Sequence, residues 1–402
     1  MHVPFARAGH DRLTTARVLG PASTPSPESL PAHTSRGSPA RWVTTDPTGV
    51  RTVHFHDDSL FPENQEKLVI QAAPYGPEWL PGDADDLPLT MDEHVQAAVD
   101  CYNAGATVLH IHVRELDGKG SKRMSMFNEL LGRLREAVPD MVLQIGGSIS
   151  FAPEDEGSEA KWLSYDTRHL LADLTPAPDQ VTIAINTSQM NIVEIMNDDD
   201  LEGTSIAKPE YYKAYRDMVV EAGPDFYLEH LKRLHASGIQ PHFQLATLAQ
   251  LETVERLIRS GVHTGPLILN YVAIGGGFAG RHPADLIEFV RRTPDGAVLT
   301  IESSMRAVAP MNAIGIALGV HVRVGNEDNL WRRKGERMTT VEQIEQMVQI
   351  SEALGRDIAT GAEAKKIYRL GEYYADADET LARLGMVPNR RPGQRGFMLR
   401  DV

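Results

Sequence analysis

Eight short apolar or β-branched runs recur between residues 67 and 325, each separated from the next by a helix-like stretch, and this alternation constrains the fold more than any other feature of the chain. The runs are KLVIQAA (67–73), TVLHIHV (107–113), MVLQI (141–145), QVTIAIN (180–186), IQPHFQL (239–245), LILNYVA (267–273), AVLTIE (297–302) and HVRVG (321–325). Strands that read as continuous apolar runs need cover on both faces, which a parallel sheet flanked by helices supplies. The intervening segments MDEHVQAAVDCYNAG, MFNELLGRLREAV, YLEHLKRLHASG, LETVERLIRSG, ADLIEFVRRT and MNAIGIALG have helical periodicity, and several stop at glycine. Eight such units predict an α/β fold of the (β/α)8 TIM-barrel type in preference to an open doubly wound sheet.

The flanks read differently. Residues 1–60 include PASTPSPESLPAHTSRGSPA, which has no hydrophobic periodicity, so an extended Pro/Ser-rich N-terminal arm is expected there. The barrel is expected over 61–340. Residues 341–402 hold VEQIEQMVQISEALG, the amphipathic TGAEAKKIYRLGEYYADADETLARLG and a polar tail, read as closing helices that pack on the barrel or on a partner subunit.

Charge and cysteine narrow the function. Of 402 residues, 40 are Lys or Arg and 55 are Asp or Glu, and the net charge of −15 repels phosphate backbones and anionic lipid. Nucleic-acid and membrane-surface binding are therefore not expected. Cys101, the single cysteine, sits in the apolar periodicity of HVQAAVDCYNAG and reads as a buried helix position rather than a nucleophile. No apolar window is long enough to span a bilayer and no compact apolar signal core opens the chain, so a cytoplasmic location is expected.

Two constellations carry chemistry. Residues i and i+2 of a strand share a face, so His110 and His112 of LHIHVR present two imidazoles together, with Arg114 continuing that face. They lie where the second strand ends, the catalytic end of a barrel, and suit a divalent metal. His54 and His56 of VHFHDD have the same spacing but precede the first barrel strand, and are expected to play no part in the site. In HVRVGNEDN, His321, Arg323, Gly325 and, if the chain stays extended, Glu327 share one face. Glu327 could complete a His, His, Glu ligand set with an open position, and Asp328 could serve as a base. The bland alternative has Glu327 and Asp328 capping a following helix and pairing with Arg323. Two weaker features are the flexible GGGFAGR (275–281) and the cations Lys119, Lys122, Arg123, Arg332, Arg333, Lys334 and Arg337, which would surround the barrel mouth and favour an anionic ligand.

Taken in order, QAAPYGPE, AGATVLHIHVRELDGKGS, QIGGS, ALGVHVRVGNEDN and ALGRDIATGAEAKKIY resemble the β-keto acid cleavage enzymes typified by 3-keto-5-aminohexanoate cleavage enzyme, from about Lys67 to Leu370. The resemblance implies a TIM barrel assembling as a homotetramer. It implies one zinc, or another divalent transition metal, held by His110, His112 and Glu327, with Asp328 as base and Arg323 as its partner. The implied reaction transfers the acyl part of a β-keto acid to the coenzyme A of acetyl-CoA, releasing acetoacetate. Glu78 falls where an aminated substrate's ammonium group is met, and Ser148 and Thr182 are candidates for anchoring the substrate carboxylate. The chain departs from the family pattern at Pro74-Tyr75-Gly76 and at Glu302 in TIESS. Competing readings are a metal-dependent hydrolase or aldolase on the same barrel, and a non-catalytic binding barrel. Hydrolases of the amidohydrolase type usually carry HxH on the first strand, which disfavours them here.

Overall fold

In the computed structural model, residues 58–147, 151–152, 161–162, 164–185, 191–218, 222–274 and 280–393 are described. Each predicted run contains one barrel strand: β1 Ile70–Ala72, β2 Val108–Ile111, β3 Val142–Ile145, β4 Gln180–Ala184, β5 Gln240–Leu245, β6 Ile268–Ala273, β7 Val298–Ser303 and β8 His321–Val324. All neighbours are parallel, and β8 pairs with β1, so the sheet closes. The helices that follow the strands are α1 Met91–Asn103, α2 Met124–Ala137, α3 Tyr165–Leu170, α4 Pro224–Ala236, α5 Leu248–Arg259, α6 Pro283–Arg292, α7 Val308–Ala317 and α8 Thr340–Ala353. This is the (β/α)8 barrel that the alternation predicts.

Local sequence sets where the helices begin. Thr90 with Glu93, Thr247 with Gln250 and Thr339 with Glu342 form reciprocal capping boxes at α1, α5 and α8. Each such cap contributes about 1 kcal/mol by satisfying amides that otherwise have no partner.

Alternation along the strands separates two interiors. Leu109, Ile111, Leu143, Ile145, Ile183, Phe243, Leu269 and Ile301 point outward and form the main core under the helices. Val108, Val142, Ile268 and Val298 point inward at the floor of the barrel, where Ala364 and Tyr368 close it. Above that floor the barrel interior is polar: Gln71, His110, Gln144, Gln180, Thr182, His242, Asn270, Thr300 and Arg323 are all buried.

Two departures from the sequence pattern shape the mouth. The β4–α4 connection carries the short helices Asp198–Leu201 and Pro209–Arg216, and their residues join Tyr75, Trp79, Met305, Leu330 and Trp331 in a second apolar cluster over the C-terminal ends of the strands. The segment read as one amphipathic stretch after α8 forms two helices, α9 Gly361–Ile367 and α10 Ala377–Arg383. Arg369 and Gly371 take left-handed backbone between them, at φ 51° and 79°, and Asp376 then caps α10. Among the described residues no helix is long and apolar enough to cross a membrane.

Candidate metal centre

β2 runs out at Ile111, so His110 lies in its last turn of pairing and His112 just beyond it, both buried at the C-terminal mouth. Glu327 reaches them from β8 by a route that strand alternation does not supply. The strand ends at Val324, and Gly325 turns the chain at φ 141° with its α-carbon pressed against the Ala73 backbone, where a Cβ would not fit. Glu327 N–H then donates to the Ala73 carbonyl at 3.1 Å and Asp328 N–H to Gly325 at 3.0 Å. The extended geometry expected through Glu327 is therefore replaced by a tight turn, and no helix follows for the two acids to cap. The turn folds Glu327 back so that its Oε1 lies 3.5 Å from His110 Nε2 and 3.4 Å from His112 Nε2.

These atoms fit a metal ion. A tetrahedral ion with bonds of ~2.0–2.1 Å holds its ligand atoms ~3.3–3.4 Å apart. His110, His112 and Glu327 are the one such cluster among the described residues. His112 Nε2 and Glu327 Oε2 are buried and have no hydrogen-bond partner among the described residues. Burial pushes the His112 imidazole pKa down, which keeps it in the neutral, ligating form. Gly146 at the end of β3 leaves the space open: a Cβ there would stand under 3.0 Å from both Nε2 atoms.

A single guanidinium organises the acids beside this cluster. Arg323 donates from Nε and Nη2 to the two oxygens of Asp328, each at 2.8 Å. Its Nη2 also lies 2.8 Å from Glu327 Oε1, and its Nη1 is 3.4 Å from Glu302 Oε2. Burial disfavours the charged Arg323, but Asp328, Glu302 and Glu327 outweigh it and hold the pKa well above the usual range. Burial likewise works against Glu327 ionising, yet Arg323 and the two imidazoles hold it well below the carboxylate range. Asp328 goes the other way. Burial, reinforced by Glu302 and Glu327 and opposed by Arg323, pushes it up to about 8. A carboxyl with a pKa in that range is matched to proton transfer near neutral pH.

The loop after β1 brings a fourth carboxylate. Arg114 donates to the carbonyls of Gly76 and Trp79, Tyr215 Oη donates to that of Pro77 at 2.8 Å, and Trp79 Nε1 donates to that of Glu327 at 3.2 Å. This clamp holds Glu78, whose Oε2 is buried without a partner among the described residues and whose pKa is raised by burial and by Glu327. Gly76 lies between Glu78 and Glu327, with no room for a Cβ against either side chain. Arg114, read from the sequence as continuing the histidine face, is committed to this loop.

The other expected residues divide. Thr182 is buried on β4 and its hydroxyl accepts from Gly147 N at 3.3 Å, beside the end of β3. Ser148, the pair His54 and His56, and 275–279 of the glycine-rich loop lie outside the described residues. Cys101 is buried in α1, its thiol pushed up by burial, as its periodicity predicts. The cationic mouth is largely neutralised by local acids. Lys119 pairs with Asp117, Arg123 with Glu115, Arg332 with Glu336 and Glu342, Arg333 with Glu336, and Lys334 with Asp199, while Arg337 stacks on Trp331. Sequence reasoning missed the buried glutamines that lead away from His110 through Gln144. Their signal is present, since Gln71, Gln144, Gln180 and Gln240 interrupt otherwise apolar strands.

The family model for β-keto acid cleavage enzymes matches residues 67–370. The chain is 27% identical over 306 residues to a 3-keto-5-aminohexanoate cleavage enzyme of Acetoanaerobium sticklandii, covering 75% of this chain and 98% of that one. It is 24% identical to a 3-dehydrocarnitine:acetyl-CoA trimethylamine transferase of Rhizobium meliloti, covering 71% and 90%. Among solved structures, apo ObcA matches with a TM-score of 0.52 at 16% identity, over 72% of this chain and 66% of the ObcA chain, a likeness of fold.

Proposed function

The chain belongs to the β-keto acid cleavage enzyme family, and from that premise we propose that it joins a β-keto acid to acetyl-CoA, giving acetoacetate and a new acyl-CoA. The observation that carries the reading is the convergence of His110 Nε2, His112 Nε2 and Glu327 Oε1 beside the Arg323–Asp328 pair at the barrel mouth. We propose zinc as the ion and a homotetramer as the assembly, as the family resemblance implies, and a cytoplasmic location, as expected from the sequence.

When bound, the ion would supply Lewis-acid polarisation of the keto oxygen. Every other contribution comes from the chain. Asp328 is held by two hydrogen bonds and takes up the proton that the nucleophile gives up as it is activated, and Arg323 keeps its charge throughout and stabilises the ionised form. Thr182 and Ser148 are proposed for the substrate carboxylate. Glu78 Oε2 has no partner among the described residues and is proposed to meet the positively charged end of an aminated substrate. The apolar cluster around Tyr75, Trp79 and Trp331 roofs the site and limits water.

The test is metal per chain by plasma mass spectrometry on the wild type and on His112→Ala, together with acetoacetate released from β-keto acids and acetyl-CoA. One tightly held ion, lost in the variant with turnover, supports the reading. No ion after reconstitution, or acetoacetate formation that persists in His112→Ala, overturns it.

A further inference from the structure

The glutamines inside the barrel are not scattered. His110 on β2 is the register partner of Gln144 on β3, Gln144 of Gln180 on β4, and Gln180 of Gln240 on β5. Parallel register puts these four side chains at one level, and each touches the next. His110 Nδ1 is 2.7 Å from Gln144 Oε1, Gln144 Nε2 is 2.9 Å from Gln180 Oε1, and Gln180 Nε2 is 2.7 Å from Gln240 Oε1. Gln240 Nε2 ends the row at 2.7 Å from the backbone carbonyl of Tyr368, on the segment that follows α9 under the barrel floor.

The direction of every bond follows from that last partner. A backbone carbonyl only accepts, so the Gln240 atom facing Tyr368 is its NH2 group. Its oxygen then faces Gln180 and needs a donor, which makes the Gln180 atom there an NH2 group as well. The same step applied to Gln180 and Gln144 leaves the Gln144 oxygen facing His110 Nδ1. Gln71 Nε2 also donates to that oxygen at 2.9 Å. With only acceptor capacity opposite it, His110 Nδ1 must carry a hydrogen, and in the neutral ring Nε2 is left with its lone pair, on the side of Glu327.

We propose that Gln144, Gln180 and Gln240 act as a directional amide chain that imposes the Nδ1–H tautomer on His110, anchoring the metal ligand to the Tyr368 carbonyl across the barrel. Gln180 and Gln240 are positioning residues, since they touch neither the ligand cluster nor the mouth. Metal ligation needs the Nε2 lone pair, and an outer partner that removes the wrong tautomer removes a competitor to the ion. The tautomer rests on the geometry alone; its consequence for affinity rests on the metal reading above.

The experiment measures the tautomer of His110 in metal-free protein from the 15N shifts of its ring, and metal affinity by chelator competition. It compares the wild type with Gln180→Met and Gln240→Met, which keep volume and remove the hydrogen bonds. Gln250→Met serves as control, because Gln250 is a buried glutamine with bonds to Thr247 and Ile185 outside the row. The expected result is Nδ1–H in the wild type and in Gln250→Met. In the two row variants a population of Nε2–H appears and metal affinity falls by roughly tenfold, at the lower end of outer-partner effects. An Nε2–H tautomer in the wild type overturns the proposal, and this arm does not depend on any variant folding. Row variants that match Gln250→Met in both readouts overturn it too. A wild type that shows Nδ1–H but binds no metal refutes the metal centre and leaves the amide chain standing.

Discussion

Arg323 grips both oxygens of Asp328 at 2.8 Å while the same Nη2 reaches Glu327 at 2.8 Å, so one guanidinium positions the expected base and an expected metal ligand together. The two acids are neighbours in sequence and have opposite pKa directions: burial opposes ionisation of both, but two imidazoles join Arg323 in holding Glu327 down, while Glu302 and Glu327 reinforce burial in pushing Asp328 up against Arg323. Asp328→Asn keeps the shape and one acceptor, so metal content should stay at the wild-type level while turnover drops by roughly 10²–10⁴, the span that a positioned proton-transfer group supplies. Arg323→Met should be worse for the fold. It strands Glu302, Glu327 and Asp328 without a counter-charge, and breaking a buried pair on one side costs ~3–5 kcal/mol. Urea midpoints of the two variants check this: a stable Arg323→Met would show that the guanidinium is dispensable.

Gly146 makes a sharper test of the metal site than the ligands do. Alanine there adds a methyl group under 3.0 Å from His110 Nε2 and His112 Nε2, in the space between donors that an ion at ~2.0–2.1 Å from each would need. Gly146→Ala should fold, lose its metal and lose turnover. Full metal occupancy in this variant would mean that the ion, if any, sits elsewhere.

Glu78 separates substrate choice from chemistry. The loop bonds that hold it go to backbone carbonyls of Gly76, Pro77 and Trp79, so Glu78→Gln leaves the clamp untouched. The variant should retain metal and lose at least about tenfold in kcat/KM for β-keto acids carrying an ammonium group, the equivalent of one charge-assisted hydrogen bond. Neutral β-keto acids should change little. A profile that moves uniformly across substrates would remove Glu78 from recognition.

Acid should loosen the fold well above the carboxylate range. His94, His230, His242 and His263 are buried, and burial pushes each of them down to about 3. Unfolded, they titrate near 6.5, so between these values the unfolded chain binds protons that the folded chain refuses. Their contribution is whole above pH 6.5 and is lost as pH falls toward 3. Glu78 and Asp328 have the opposite sign, because their raised values make the folded protein hold protons that unfolding releases. These four histidines, with His235 and His321 lowered by burial in the same direction, outnumber Glu78, Asp328 and Asp86, which burial raises, and leave a net uptake on unfolding. The urea midpoint at pH 5 should lie below that at pH 7, and equal midpoints would contradict the burial of these imidazoles as neutral groups.

Much of the architecture is legible in the linear pattern. Each of the eight apolar runs holds a barrel strand, because residues that need cover on both faces have few other places to go. The HxH pair is legible too, since i and i+2 share a face in any strand. What the pattern hides is the polar interior. Gln180 at the start of QVTIAIN and Gln240 in IQPHFQL read as minor interruptions of apolar segments, and only closure shows that they face one another inside the barrel.

Sequence alone determined that the chain alternates strand and helix, that His110 and His112 point the same way, and that Glu327 and Asp328 follow the last strand. Those are local properties, set by a period of two and by the residues themselves. Tertiary structure decided the rest. Closure pairs β8 with β1, and β1 with β2, which brings residues more than 200 positions apart to one rim. The left-handed turn at Gly325 then redirects Glu327 onto the imidazoles, against the strand alternation that would have been the simpler expectation. The row from His110 to Tyr368 depends in the same way on register between separate strands, which is a long-range property that no window along the chain contains.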